Sequence, residues 1–284
     1  MLTKLWHDTR LIVFCKIEMN DKAKRRSLGL ILALLLFSIY LFTYRGGFHS
    51  VDEVSIFAVT ESLVKFGQVN TNQIAWTQWT TSQAEAQGFF GADGQVYSKK
   101  GLALSLARAP LYGLALLTPG LGMLQTVSLL NAFVTAVTGF LVLMFLDRLG
   151  FRPITSLVTA LIFGLATIAW VYAKYLFSEP LAGFLILLSA YMLFIFRQEG
   201  GLRHLVIAGL AAGFAVLTRA NNLFLLPIFG LYLLWILNEQ LIINNEQLTI
   251  NKKHPSTPPS LQSSSTLPPF HPSILPLLTF TIAL

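Results

Sequence analysis

One cysteine, Cys15, is all that this chain of 284 residues carries, so it cannot form an internal disulfide and gives no reading of redox compartment. Charge is scarce too. Asp, Glu, Lys and Arg make up 12% of the residues, where a soluble domain carries about 25%. There is no HExxH, no CxxC pair and no glycine-rich phosphate loop, so metal and nucleotide sites lack sequence support. Apolar residues fill the space: 54% are hydrophobic and the mean hydropathy is +0.64. Such a chain has too little polar surface to cover itself in water, and lipid must solvate the rest. The net charge of +7 raises the question of nucleic acid. The basic residues, however, cluster at the ends of apolar runs, as the positive-inside bias produces, and not in one binding stripe. No nucleic-acid partner is expected.

The chain divides by composition. Residues 1–27 form a polar, basic amino-terminal segment ending in Lys22, Lys24, Arg25 and Arg26, and Met19 is as plausible a start as Met1. The run Leu28–Tyr44 follows, barely long enough for the ~30 Å hydrocarbon core. No small-residue cleavage site follows it, so it reads as a retained anchor. Residues 45–101 form a long polar stretch with Trp76, Trp79, Gly88, Gly91 and Gly94. Further apolar segments are Leu124–Leu146, Ile154–Ala173, Pro180–Phe196, Leu202–Thr218 and Asn222–Leu237. Leu102–Thr118 is apolar as well, but Arg108 and Pro110 sit at its centre. A mid-bilayer arginine costs about 2.5–3.5 kcal/mol on insertion scales and proline breaks the helical ladder, so an interfacial or re-entrant helix is expected there.

Charge bookkeeping favours that choice. If Leu102–Thr118 does not cross, one face collects Lys22–Arg26, Arg148 with Arg152, Arg197 with Arg203, and Lys252 with Lys253, the cytoplasmic signature at every inner loop. If it crosses, the later basic loops move to the opposite side from the amino terminus. The expectation is an all-α integral membrane protein with about six spans over residues 28–237 and a large extracytoplasmic loop, 45–123, after the first. Residues 238–273 differ in kind. Asn238–Asn244 reads NEQLIIN and Asn245–Asn251 reads NEQLTIN, then a Pro/Ser-rich stretch follows. Two copies fall short of the roughly three or four heptads of a coiled coil, and the composition suggests a disordered tail. Ile274–Leu284 is apolar again and reads as the start of a further span, which makes the chain an expected fragment.

This topology gathers polar residues at the outer ends of the helices: Asp52, Glu53, Lys99, Lys100, Lys174, Glu179 and Arg219. Cations of this kind bind phosphate, and a carboxylate beside them takes a proton from an acceptor hydroxyl. That is the division of labour of a transferase using a lipid-phosphate donor. Each residue also has a purely structural explanation. Asp52 and Glu53 can serve the amino-terminal dipole of a helix, and Ser178-Glu179-Pro180 reads as a cap with an acidic first turn. Lys99 and Lys100 can anchor at an interface, Arg219 with Asn221 and Asn222 can cap a hairpin tip, and His49 stands alone in a loop.

The ordered segments HSVDEVSIFAVTESLVKFG, YSKKGLALSLARAPLYGLALL, YLFSEPLAGFLILLSAYMLF and HLVIAGLAAGFAVLTRANNLFLLP resemble polytopic glycosyltransferases of the GT-C class, in the branch related to protein mannosyltransferases and aminoarabinose transferases. The resemblance covers about residues 28–237. In that family an acid follows the first span on a juxtamembrane helix. Asp52 matches the catalytic position and Glu53 its neighbour, while Tyr97–Lys100 matches a tyrosine-x-x-lysine segment. The family often has proline after that lysine, where this chain has Gly101, and it continues through further spans that are not seen here.

The resemblance implies a polyprenyl-phosphate-linked sugar donor, a lipid, glycan or protein acceptor, and an inverted product. Asp52 would act as base or orient the acceptor. Lys100, Arg219 and Lys174, with Lys99 beside them, would neutralise the donor phosphate, and Glu179 would position donor or acceptor. No cofactor is implied, and the need for a divalent metal stays open. The expected setting is a bacterial plasma membrane with the active face extracytoplasmic. The rivals are a transporter, which predicts inverted repeats and mid-span charges, and a non-catalytic membrane protein.

Overall fold

A computed structural model describes residues 22–74 and 88–253. Met19, Trp76, Trp79, the Pro/Ser-rich tail and Ile274–Leu284 lie outside the described residues. Nine α-helices run through the described residues: α1 (Lys22–Phe42), α2 (Val51–Phe66), α3 (Ala103–Leu117), α4 (Met123–Arg148), α5 (Pro153–Ala166), α6 (Ile168–Tyr172), α7 (Glu179–Glu199), α8 (Leu202–Thr218) and α9 (Leu225–Lys253). A short hairpin, β1 (Gly88–Phe90) with β2 (Val96–Ser98), lies between α2 and α3 and pairs antiparallel with Phe89 opposite Tyr97. The protein is an all-α membrane fold. By length and composition α1, α4, α7 and the stretch Ala220–Glu239 can each cross a bilayer, while α3, α5 and α8 are shorter apolar helices.

Ion pairs fix which helix ends share a side. Arg25 of α1 pairs with Asp147 near the end of α4. Arg148 meets Glu199 at the end of α7 at 2.5 Å. Arg197 holds Glu239 of α9 through both Nε and Nη2, at 3.0 Å each. The start of α1 and the late parts of α4, α7 and α9 therefore share one end of the bundle. Asp52, Glu53, Lys100, Glu179 and Arg219 belong to the opposite helix ends, so the segregation expected from charge is present in the fold.

Small residues let these helices approach. Leu32, Leu36 and Tyr40 of α1 are buried against Ala132, Ala136 and Leu143 of α4 and Ala160 of α5. A Cβ on Gly139 would sit 2.6 Å from Leu36 Cδ1, and one on Gly164 would sit 2.6 Å from Leu36 Cδ2. Tyr40 donates its hydroxyl to the Gly164 carbonyl at 2.9 Å. In the α7–α8 hairpin, Ala208, Ala211, Ala212 and Ala215 are buried and Ser189 donates to the Ala208 carbonyl at 2.9 Å. This is how membrane helices associate when apolar burial from water cannot drive them.

α3 follows Gly101, which packs on the last residues of α8, and its Leu111 and Tyr112 pack with Met123 and Leu124 at the start of α4. The first turn of α4 meets the exit of α1, with Gln125 donating to the Gly46 carbonyl at 3.4 Å. Arg108 avoids both lipid and water. It is fully buried among α3, α4 and the segment before α7.

Two segments differ from their expected extents. Ile154–Ala173 is not one helix: α5 stops at Ala166, and Thr167 caps α6 by accepting from the Ala169 N–H at 3.1 Å. The same hydroxyl donates back to the Phe163 carbonyl at 2.6 Å. A threonine that serves its local backbone in this way competes with the helical ladder. The last helix also runs further than its apolar pattern, since α9 takes in both copies of the NEQL repeat and ends at Lys253.

Candidate active site

The site is built on the start of α2. Ser50 takes extended geometry as N-cap, and its hydroxyl accepts from the Glu53 N–H at 3.4 Å. The cap places Asp52 and Glu53 in the first turn, where the helix dipole favours acids. The two neighbours then diverge. Asp52 is part-exposed and paired with the ammonium of Lys100. Glu53 is 0% exposed, and neither carboxylate oxygen has a hydrogen-bond partner. Burial pushes its carboxyl above the usual carboxylate range, against the pull of the Leu176 and His49 backbones and of the His49 and Arg108 side chains. His49 lies one turn earlier, its Nδ1 4.0 Å from Glu53 Oε2 and its ring 4.3 Å from that of Tyr175.

The hairpin delivers Lys100. Ser98, at the end of β2, hydrogen-bonds Ser55 of α2 at 2.7 Å, and its hydroxyl accepts from the Lys100 N–H at 3.1 Å. Tyr97 turns away and donates to Asp93 at 2.6 Å, which holds the Asp93 carboxyl below its usual range. Next comes Gly101. A Cβ there would lie 2.2 Å from the Thr218 carbonyl oxygen and 2.4 Å from that of Leu217. These atoms are backbone and cannot swing aside, so only glycine permits this approach. The departure from the proline seen in the resembling family thus has a local cause, because proline also carries a Cβ.

That approach sets Lys100 near the end of α8, where Arg219 follows Thr218. Arg219 pairs with Glu179 in the first turn of α7, and Glu179 Oε2 has no partner. Ile56, Leu104 and Leu181 pack together with Val134, which joins the starts of α2, α3 and α7. Two carboxylate–cation pairs, Asp52–Lys100 and Glu179–Arg219, consequently share one end of the fold. Asn222 caps α8 by donating to the Ala215 carbonyl at 2.8 Å, as its structural explanation required. Lys174 stands apart, with its ammonium 5.6 Å from the centroid of the Trp170 ring. Lys99 is exposed, and none of the ion pairs among the described residues includes it. No group of three or more His, Cys, Asp or Glu side chains is placed to hold a metal among the described residues.

The sequence reading passed over Asn131 and gave Arg108 only a topological role. Arg108 donates to the Leu176 carbonyl at 3.1 Å and to Asn131 Oδ1 at 3.0 Å. The available signal was a polar residue inside an otherwise apolar span, Asn131 in α4, which marks a partner within the bundle.

Residues 121–255 match the family model described as dolichyl-phosphate-mannose-protein mannosyltransferase. No curated protein and no solved structure matches the chain. The matched stretch runs from the threshold of α4 through α9 and is similar to a glycosyltransferase domain of the GT-C type. Together with the apolar helices it supports a membrane glycosyltransferase. It includes Lys174, Glu179 and Arg219, whereas Asp52, Glu53, Lys99 and Lys100 precede it.

Proposed function

We propose that this protein transfers a sugar from a polyprenyl-phosphate donor to an acceptor hydroxyl on the extracytoplasmic side of a membrane, with Asp52 as the acceptor-side carboxylate. The observation that carries this reading is the meeting of Asp52–Lys100 and Glu179–Arg219 at one end of a helical bundle whose α4–α9 part matches a mannosyltransferase family. The acceptor oxygen attacks the anomeric carbon while that carbon's bond to the phosphate oxygen breaks. The acceptor proton passes to Asp52, and the electron pair leaves with the polyprenyl phosphate. Attack opposite the leaving phosphate inverts the anomeric centre. Lys100 and Arg219 face the charge growing on the phosphate, with Lys99 and Lys174 at the margin of the same end. Glu179 orients Arg219.

Asp52 has a second reason to be held by Lys100. A donor phosphate competes for the same ammonium, and its arrival releases carboxylate lone pairs for the acceptor hydroxyl. Glu53 is too buried to meet a substrate and supports α2 from within.

Transfer from a polyprenyl-phosphate sugar by purified protein in lipid tests the reading. Asp52→Asn is expected to abolish transfer, a fall of about 10²-fold or more for a lost proton acceptor, while membrane insertion is unchanged. Activity retained in that variant would exclude the role of Asp52.

A further inference from the structure

The connection from α6 to α7, residues 173–178, carries Lys174 and leads into Glu179, yet it has no regular structure of its own. Ala173 and Leu176 are buried and the residues around them half-buried, so the carbonyls that turn toward the bundle need donors there. Two side chains supply those donors. The Asn131 amide nitrogen donates to the carbonyls of Tyr175 at 2.6 Å and Phe177 at 2.8 Å, with a longer contact to Tyr172 at 3.4 Å. Its amide oxygen accepts from Arg108, which also donates to the Leu176 carbonyl. The orientation of the amide is forced, because a guanidinium only donates and a carbonyl only accepts. Asn131 and Arg108 are both 0% exposed. On the other side the His49 ring rests on Tyr175, and the Tyr175 and Tyr172 rings both pack on Phe177.

We propose that Asn131, braced by Arg108, is a positioning residue that clamps the 172–177 backbone and so sets the placement of Lys174 and Glu179 for a phosphate-bearing ligand. The inference rests on the proposed transferase reading for its ligand, and on geometry alone for the clamp. Asn131 touches neither Lys174 nor Glu179 through its side chain; it acts on the backbone between them. Three consecutive carbonyls, those of Tyr175, Leu176 and Phe177, are held by two side chains from two helices. Asn131→Asp is the discriminating change, because it keeps the volume and the acceptor for Arg108 and puts a carboxylate oxygen, which repels carbonyls, where the amide donors were.

Two measurements separate the clamp from the transferase reading. In the first, spin labels at Lys174→Cys and Gln125→Cys, with Cys15→Ser, report the distance from the connection to α4 in nanodiscs. A narrow distribution that broadens in Asn131→Asp is expected, and a distribution left equally narrow overturns the proposal whatever the protein catalyses. In the second, steady-state transfer from a polyprenyl-phosphate sugar by the full chain is compared for the unlabelled Cys15→Ser protein with and without Asn131→Asp. A rise in donor KM with an overall loss of about 10²-fold in kcat/KM is expected, since a displacement of about 1 Å costs that much; an unchanged donor KM also overturns it. Should Asn131→Asp fail to fold, Arg108→Lys, which keeps the charge but loses the two-pronged grip, is read by the same distances. Absence of transfer in the parent protein would refute the function while the labels still decide the clamp.

Discussion

At the scale of single residues, two neighbours with similar chemistry are separated by roughly a quarter turn of helix. Asp52 faces Lys100 at the surface of the site, and Glu53 points inward with neither oxygen partnered. Glu53 therefore leaves a signature in stability. Its folded carboxyl is raised, chiefly by burial. Between the ordinary carboxylate value and that raised value the folded protein binds more protons than the unfolded chain, so stability falls as pH rises through this window. Glu53→Gln removes the slope. Thermal unfolding in detergent across pH 4 to neutrality is expected to show the variant gaining on the parent as pH rises, and parallel curves would refute the raised, buried carboxyl. Gly101 makes a second claim at this scale. Gly101→Ala drives a Cβ into the Thr218 carbonyl, so the Lys100 segment must back away from α8. A loss of transfer with insertion intact is expected, and overpacking costs of about 1–3 kcal/mol should lower the unfolding midpoint as well.

At the scale of elements, the long apolar helices were legible because their sequence signal is their stabilising interaction. A run such as that of α4 announces itself by hydropathy, and its bounds were expected to within a few residues. The Leu102–Thr118 segment was also legible as a helix of its own, realised as α3 over Ala103–Leu117. What the pattern could not express was the partner. Arg108 and Asn131 lie in different segments, and nothing in either says that they converge on the carbonyls of a third. The break at Thr167 was hidden for a related reason: a threonine in an apolar run is compatible with a continuous helix, and its role is decided by which backbone groups its hydroxyl reaches. The site residues show the same division. Asp52, Lys100, Glu179 and Arg219 were visible as helix-end charges, but which carboxylate meets which cation is set by contacts between segments far apart in sequence. Lys99 and Lys174 carry the same charge and stand outside the pairs. Overfilling the α1–α4 seam tests the element scale. Gly139→Val would strike Leu36, and a destabilisation of about 1–3 kcal/mol from overpacking is expected, read as a lower unfolding midpoint with the site residues unaltered.

At the scale of the whole molecule, function depends on polarity along the bundle axis. Arg25 with Asp147, Arg148 with Glu199 and Arg197 with Glu239 occupy one end as three pairs, and the two site pairs occupy the other. In the proposed reaction the donor's chain stays in lipid while its phosphate lies at the end that carries Asp52–Lys100 and Glu179–Arg219. The basic residues near the amino terminus and in the loops after α4 and α7 argue that their end faces the cytosol. Lys99 and Arg203 report the two ends without entering an ion pair named above. Single cysteines at these positions in a Cys15→Ser background, labelled in intact cells with a membrane-impermeant maleimide, are expected to react at position 99 and to stay protected at position 203 until the membrane is opened. Labelling of both before permeabilisation, or the reverse order, would place the carboxylate–cation pairs in the wrong compartment for an extracytoplasmic transferase. The fold would be left intact by such a result, and the proposed reaction would be removed from it.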